Sequence, residues 1–534
     1  MGRRVGDAVT WLGRTLPAAL WVGLRAGLSA LWCGARRLVG TYRANWERLS
    51  HFRRHFIANL FVGLLIAVVL HLLHQGPLLH TLDDAAIDWT MRIYGGTAPP
   101  AGTRPIAFID IDDATWQAWG EPLLTPRDPL AALLRHAIDG AAAAIVLDID
   151  LSHPGGAGDQ ALAAVLRTYL PDATGQPPNL PPLILARDIR LPPPGSHALP
   201  TERQTPFDDL VERAPGIHWA APLFERDGDG RIRRWRLWTA TCGSDGQPRV
   251  RPSIQLLLAG LLDGTPAQQA QLAGVLRGYR PSGCGGPGMA RGDDQADGPG
   301  ADPGPIDPDP QHGQTAGHRD DHGEIAVRLG EREIHLEPHG TAARVIYREP
   351  WRPEAGKVRS EVTLDDGRRV PAIAVRPAAA VVKATDPRSG AWLQGHVAIV
   401  GGSHRDTRDI HMTPLGWMPG ALILANAVQS LGHHGELRTP SLAETLAVEA
   451  FLILIMSALF ARFDSLLGSL LSGLAVILVL LPLSLAVFGN GTWLSFAIPL
   501  IAIMVHKLWA EIEALIQKVA TKGHSHERAD TQEG

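Results

Sequence analysis

The sequence has little cysteine, few aromatic side chains and almost no net charge. Only Cys33, Cys242 and Cys284 occur among its 534 residues. Three cysteines are too few for the disulfide framework that staples small secreted domains. Cys242 and Cys284 could pair, but Cys284 stands in a Gly/Pro-rich stretch, so the expectation is that they do not. The formal net charge is −4. A balance so close to neutral carries no electrostatic footprint of a nucleic-acid partner. No Ser-His-Asp or Cys-His pattern stands in a recognisable nucleophile context, so no enzyme activity, cofactor or metal centre is expected.

Apolar sequence is plentiful and unevenly placed. About 20 apolar residues in a helix cross a bilayer, and four runs qualify: Phe56–Leu73, about 442–460, 466–488 and 492–508. The links between the last three are short, ARFDS and GNG, which implies an up-down-up bundle. Arg43, Arg48, Arg53 and Arg54 precede the first run, Arg462 lies in the first short link, and Lys507, Lys518 and Lys522 lie at or after the last run. The bias of Lys and Arg to the cytoplasmic side then puts both termini inside and residues 74–441 outside. The first run follows some 55 residues and lacks a cleavage site, so it is an uncleaved anchor rather than a signal peptide.

The outer segment is expected to be α/β: a mixed, partly parallel sheet with flanking helices. PIAFIDI (105–111), AAIVLDI (143–149), PLILAR (182–187) and HVAIVG (396–401) are short apolar runs suited to buried strands. Helical spacing over 128–139 and 159–170 separates the first three, which favours parallel pairing. IAVRLGEREIHL (325–336) alternates around Gly330, as a hairpin does. Residues 281–323 are rich in Gly, Pro and Asp and cannot bury enough surface to offset their ordering entropy. They are expected to be a disordered insertion.

The order of these motifs, together with the membrane layout, resembles the second class of CHASE sensor domains, the cyclase- and histidine-kinase-associated extracellular modules. FIDIDDATW, TPRDPLAALLRHAIDGAAAAIVLDIDLSHP, GDGRIRRWRL and HVAIVGGSHRDTRDIHMTPLGWMPGALILANAV carry the resemblance. It spans roughly residues 56–508 and implies a sensor-like periplasmic module. Leu424 stands where the family often has His, and Leu-Leu-Thr-Pro-Arg (123–127) replaces the family's Trp-Pro-Trp-Pro-Arg. Members commonly carry a cyclase or kinase domain after the last span. Only some 26 residues follow Leu508 here, too few for such a domain.

The chain is thus expected to have a cytoplasmic amphipathic basic arm (1–55), an anchor (56–73), a periplasmic domain (74–441), three further spans (442–508) and a cytoplasmic tail (509–534). Both termini would lie on the cytoplasmic side of the bacterial inner membrane. Asp110, Asp112 and Asp148 end strands, and the loop after 401 brings His404, Arg405 and Asp406. Ligands of open α/β sheets favour this carboxyl-end crevice, although caps and turns use the same residues. Thr413, Pro414, Gly416, Pro419, Gly420 and Asn426 form a turn and helix that would couple the domain to its spans. In the arm, Trp21, Arg25, Trp32 and Arg36 suit the membrane interface or a partner protein. Leu515 lies on an apolar stripe in the tail, too short to be stable alone, that would pair with a partner helix or a second copy. The expected function is a sensor acting through a separate partner protein. The alternative is a non-sensing scaffold subunit of an envelope or secretion complex.

Overall fold

The computed structural model describes residues 48–509, 511, 512 and 515, apart from 74–76, 96, 98, 100–101, 194–195, 197, 280–283, 285–317, 320–324, 352–359, 365, 385–386 and 464. Trp21, Arg25, Trp32 and Arg36 lie outside the described residues. The chain divides into two compact units. One holds Met1–Asp83, Ser441–Pro482 and Ser495–Gly534, and the other Asp84–Pro440 and Leu483–Leu494.

In the first unit, α1 (His51–Leu73) lies against a long helix at Leu442–Arg462. Gly63 permits the approach, since a Cβ there would stand 3.0 Å from the Ile453 side chain. Among the described residues, three helices are long and apolar enough to cross a membrane: His51–Leu70, Ala443–Arg462 and Leu466–Phe488. The fourth expected run behaves differently. Thr492 bridges to Arg438, and the helix begins only at Ala497, leaving a shorter apolar helix, Ala497–Trp509. The expectation of a full-length span over 492–508 is corrected to that extent. Leu515 is helical and exposed.

The second unit is a doubly wound α/β domain. It opens with the end of α2 (Pro77–Tyr94). Its main strands are β1 (Ile106–Ile111), β2 (Ala144–Leu147), β3 (Leu183–Ala186), β4 (Ile217–Ala220), β5 (Phe224–Arg226), β6 (Ile232–Trp235), β7 (Ile325–Leu329), β8 (Arg332–His335), β9 (Ile373–Pro377), β10 (Val397–Gly402), β11 (Ile410–Thr413) and β12 (Gly416–Pro419). The main sheet runs β9-β1-β10-β2-β3-β4, and every pair is parallel. Alternation along each strand feeds two layers. Ala107, Ile109 and Ile111 face α3 (Arg127–Asp139) and α4 (Gly158–Arg167), with Leu130, Leu134, Leu162 and Leu166 in the same core. On the other face lie α5 (Ile254–Asp263) and α6 (Gly420–His434), and α6 rests on β1 and β10. Every residue of α6 from Ala421 to Leu431 is buried.

Two further expectations change. Cys242 and Cys284 are joined by a disulfide, with Cα atoms 5.7 Å apart. Cys284 escapes its flexible-looking surroundings because the preceding helix Pro266–Gly278 and Tyr279, which stacks on Trp238, bring the chain back to the strand Trp238–Cys242. Within 281–323, His318–Arg319 forms a short strand paired with Ile325 and Ala326. Most of that segment lies outside the described residues. The hairpin around Gly330 is present, and that glycine takes the left-handed φ of 61° its turn requires.

Candidate functional site

Strands β1, β10 and β2 are neighbours, so their carboxyl ends bring Asp110, Ser403 and Asp148 to one rim of the sheet. Asp110 pairs with Gly401 in register. Period two places Asp110 on the face of Phe108, toward α6, where it is buried. Ser403 Oγ donates to Asp110 Oδ2 at 2.8 Å, while the buried Oδ1 has no hydrogen-bond partner. Burial raises the Asp110 carboxyl to about 6, with smaller contributions from Asp112 and Asp113. Asp148 is raised to about 7, first by burial and then by repulsion from Asp409.

Asp409, from the loop Ser403–His411 that the sequence places at the same strand ends, belongs to this rim. His411 Nε2 lies 2.8 Å from Asp409 Oδ1, and Gly420 N donates to the Asp409 carbonyl at 2.9 Å. The Asp409 carboxylate occupies the space a Cβ at position 420 would need, so the first residue of α6 is glycine. A Cβ at Gly401 would meet Ala421 in the same way. The glycines therefore let α6 settle directly on the strand ends and the acidic rim. A rim with two elevated carboxyls can take up protons near neutral pH or bind a cationic group. Among the described residues no group of three His, Cys, Asp or Glu is placed to hold a metal ion.

The other expected ligand residues divide. Asp112 is the N-cap of the helix Asp113–Ala118 and accepts from Thr115 N at 2.8 Å, so it serves as a cap. His404 stacks on Trp116 and its Nδ1 lies 3.1 Å from the Ile111 carbonyl, which fixes the loop. Arg405 and Asp406 are exposed in a short 3-10 turn. The Arg405 backbone N donates to Asp113 Oδ1 at 2.9 Å, while its side chain comes only within 3.7 Å of that carboxylate. Asp110 and Asp148 gain no arginine partner. Arg127 pairs with Asp159, and Arg187 with Glu202 and Asp208.

The expected coupling residues form a β-hairpin followed by α6. Thr413 Oγ1 donates to the Gly416 carbonyl at 2.7 Å and closes the turn, and Gly416 has a φ of 99°. The Pro414 carbonyl accepts from Arg92 Nε at 3.0 Å. Pro419 is the extended N-cap of α6. Asn426 Oδ1 accepts from Arg348 N and Glu349 N, both at 3.0 Å, and its Nδ2 donates to the Glu349 and Leu422 carbonyls. One side chain thus satisfies the backbone of a buried extended segment. Beyond α6, Arg438 N donates to the Gly491 carbonyl at 2.9 Å and Trp493 N to the Arg438 carbonyl at 2.8 Å. Arg348 Nη2 reaches the Gly489 carbonyl at 3.3 Å.

A second polar cluster went unread in the sequence. Asp84 and Asp88, one turn apart on α2, meet Arg231, Arg233 and Arg234 from β6 and its approach. Arg344 is wholly buried and pairs with both aspartates. Asp227 and Asp229 complete the set through Arg233 and Arg234. The Asp229 carboxyl is held down at about 2, chiefly by its hydrogen bond from Arg233. The motif GDGRIRRWRL was visible, and Asp84 and Asp88 stand at helical spacing. Arg344, in TAARVIY, carries no local signal at all.

No curated protein and no solved structure matches the chain. A family model described as the CHASE2 domain matches residues 63–461, from within α1 through the α/β domain to the end of the next long apolar helix. That match covers most of the chain and the whole carboxylate rim, so the chain belongs to the CHASE2 family of extracellular sensory domains.

Proposed function

We propose that this is a non-catalytic, multi-pass sensor of the bacterial inner membrane. Its outer domain recognises a signal at the Asp110–Asp148–Asp409 rim and passes it through its spans to a separate partner protein. The observation that carries this reading is the unneutralised rim itself. Two carboxyls are raised toward neutrality with no arginine opposite them, one oxygen of Asp110 is buried without a partner, and α6 begins on the same rim. Unspent electrostatic cost of this kind marks functional sites more often than scaffolding.

Coupling would run along α6. A change at Asp409 acts on Gly420, α6 carries it to Arg438, and Arg438 holds the 491–493 link between membrane helices. Small helix shifts of this sort are a common transmission device. Residues 74–441 are read as periplasmic and both termini as cytoplasmic, a topology that requires the shorter apolar helix Ala497–Trp509 to serve as a fourth crossing. The Cys242–Cys284 disulfide supports an oxidising compartment for the outer domain. In cells blocked with maleimide without reductant, Cys33 alone should react, and labelling of all three would count against that placement.

The test uses the full chain in nanodiscs. A proton or cationic ligand should raise its melting temperature by mass action, and Asp110→Asn with Asp148→Asn should remove the response. An Arg438→Cys/Thr492→Cys cross-link should leave binding intact and silence transmission. Copurification of a kinase or cyclase would fit the sensor. If melting is unmoved by pH and by a screen of amines and cations, and only envelope components copurify, the scaffold reading replaces it.

A further inference from the structure

Strand β9 is the edge of the main sheet. On one side it pairs with β1, and among the described residues no strand pairs with the other side. Ile106 stands opposite Ile373 and its N–H donates to the Ala372 carbonyl. In a parallel ladder of that phase, the N–H and C=O of Ala374 and Arg376 address β1. Those of Ile373 and Val375 therefore point outward, before Pro377 ends the strand. An open edge of this kind is a template for another extended chain.

A groove of about 400 Å³ follows this edge, a volume within the range of ligand sites. Residues 373–376 line it, with Trp392 and His396 from the segment that leads into β10. The charged side chains of its lining are two arginines, with no carboxylate. Arg368 is held by Asp366, its Nε donating to Oδ2 at 2.6 Å. Arg376 has no carboxylate partner among the described residues. Its guanidinium lies over the Trp392 ring, 4.4 Å from the centroid. The Trp392 indole N–H is buried without an acceptor. Burial lowers the pKa of His396, and repulsion from Arg368 adds to the shift, so this histidine stays neutral near pH 7. A second cation is disfavoured here, and an anion is favoured.

We propose that the outer edge of β9 binds an acidic peptide segment in extended form, as an added strand. Ile373 and Val375 supply main-chain donors and acceptors, and Arg376 receives an Asp or Glu side chain. In this mode of recognition main-chain pairing gives affinity and the flanking pockets give specificity. The edge from Ile373 to Arg376 is about 10 Å long, which admits roughly three residues of the guest. A guanidinium laid flat on an indole ring is already ordered, so less freedom is lost when a carboxylate arrives. A small free acid would engage Arg376 alone, whereas an extended chain also satisfies the outward backbone of the edge. The proposal does not rest on the rim, since neither Asp110, Asp148 nor Asp409 lines the groove.

The test uses the full chain in nanodiscs and a fluorescein-labelled peptide of alternating Glu and Val, followed by anisotropy. This peptide should bind, and its counterpart with Lys in place of Glu should not. Arg376→Ala should weaken binding by about tenfold or more. Val375→Pro removes an outward N–H and leaves the ladder to β1 intact, because edge strands accept proline at such positions. It should abolish binding, while Val375→Ala, which keeps the N–H, should bind as the parent does. Should Val375→Pro fail to fold, the acidic peptide N-methylated at every residue tests main-chain pairing on the unaltered protein. Three results would each overturn the proposal: no binding of the acidic peptide at millimolar concentration, equal binding of the Glu and Lys peptides, or undiminished binding of the N-methylated one.

Discussion

The outer domain holds two buried polar clusters that follow opposite rules. Around α2, four arginines meet four aspartates, the charges cancel, and most hydrogen-bonding atoms find partners. At the strand ends, Asp110, Asp148 and Asp409 gather with Ser403 and His411, and Arg226 reaches only the far ring nitrogen of His411, at 3.0 Å. The first cluster holds a carboxyl down, and the second pushes carboxyls up. A neutralised network resists change, because each member's loss strands another charge. An unneutralised one is cheap to perturb, because a proton or a cation relieves it. On this comparison the arginine network is expected to be rigid and the rim responsive.

The sharpest way to break this comparison is at Arg344. Arg344→Met keeps the volume and leaves Asp84 and Asp88 short of a partner, at an expected cost of about 3–5 kcal/mol. Urea unfolding of the solubilised protein should show this, and a loss under 1 kcal/mol would remove the network from its structural role. The rim should respond with the opposite sign. Asp110 and Asp148 have folded values of about 6 and about 7 against an ordinary 3.8. The folded state therefore keeps protons that the unfolded chain releases, and stability rises as pH falls through about 7 toward 3.8. Asp110→Asn and Asp148→Asn should each stabilise the protein near pH 8, by on the order of 2 kcal/mol, and flatten its melting-temperature profile between about pH 8 and pH 5. Unchanged profiles would make the rim as inert as the network. The smallest effect is expected at Arg405, 88% exposed along its side chain. Arg405→Ala should shift stability by less than about 0.5 kcal/mol and leave the pH profile unaltered. A larger change would draw the exposed turn into the site.

The sequence showed elements far better than it showed neighbours. The strands at 106–111, 144–147, 183–186 and 397–402 were legible because fully buried parallel strands are short continuous apolar runs. The helix at 420–434 was legible from its Pro-Gly start. Strand β9, IAVRP, is brief and ends in proline, and β4, IHWA, is polar in its middle, so neither announced itself. Asp110 and Asp148 were readable because they end strands. Asp112 followed the same rule and proved to be a cap, since the strand ends at Ile111 and the next helix starts at Asp113. Asp409 was legible only as one polar residue among several in the Ser403–His411 loop, and Arg344 was invisible because its partners Asp84 and Asp88 lie far away in sequence. The Cys242–Cys284 bond was missed for the same reason: composition around Cys284 says nothing about what a preceding helix brings near.

Strand β10 is the last of the six to be made, yet it lies between β1 and β2. During synthesis the slot beside β1 must stay open while nearly three hundred further residues emerge (from Ile111 at the end of β1 to Val397 at the start of β10). The sheet is therefore a lock closed by its final key, with high contact order and slow closure as the physical consequence. Chains cut short before β10 would expose two bare parallel edges, which invite aggregation and quality-control proteolysis. Only about forty residues separate β10 from the helix that starts at Leu442. Maturation of the domain and insertion of the following helices thus fall close together in time, and an incomplete sensor has little opportunity to persist.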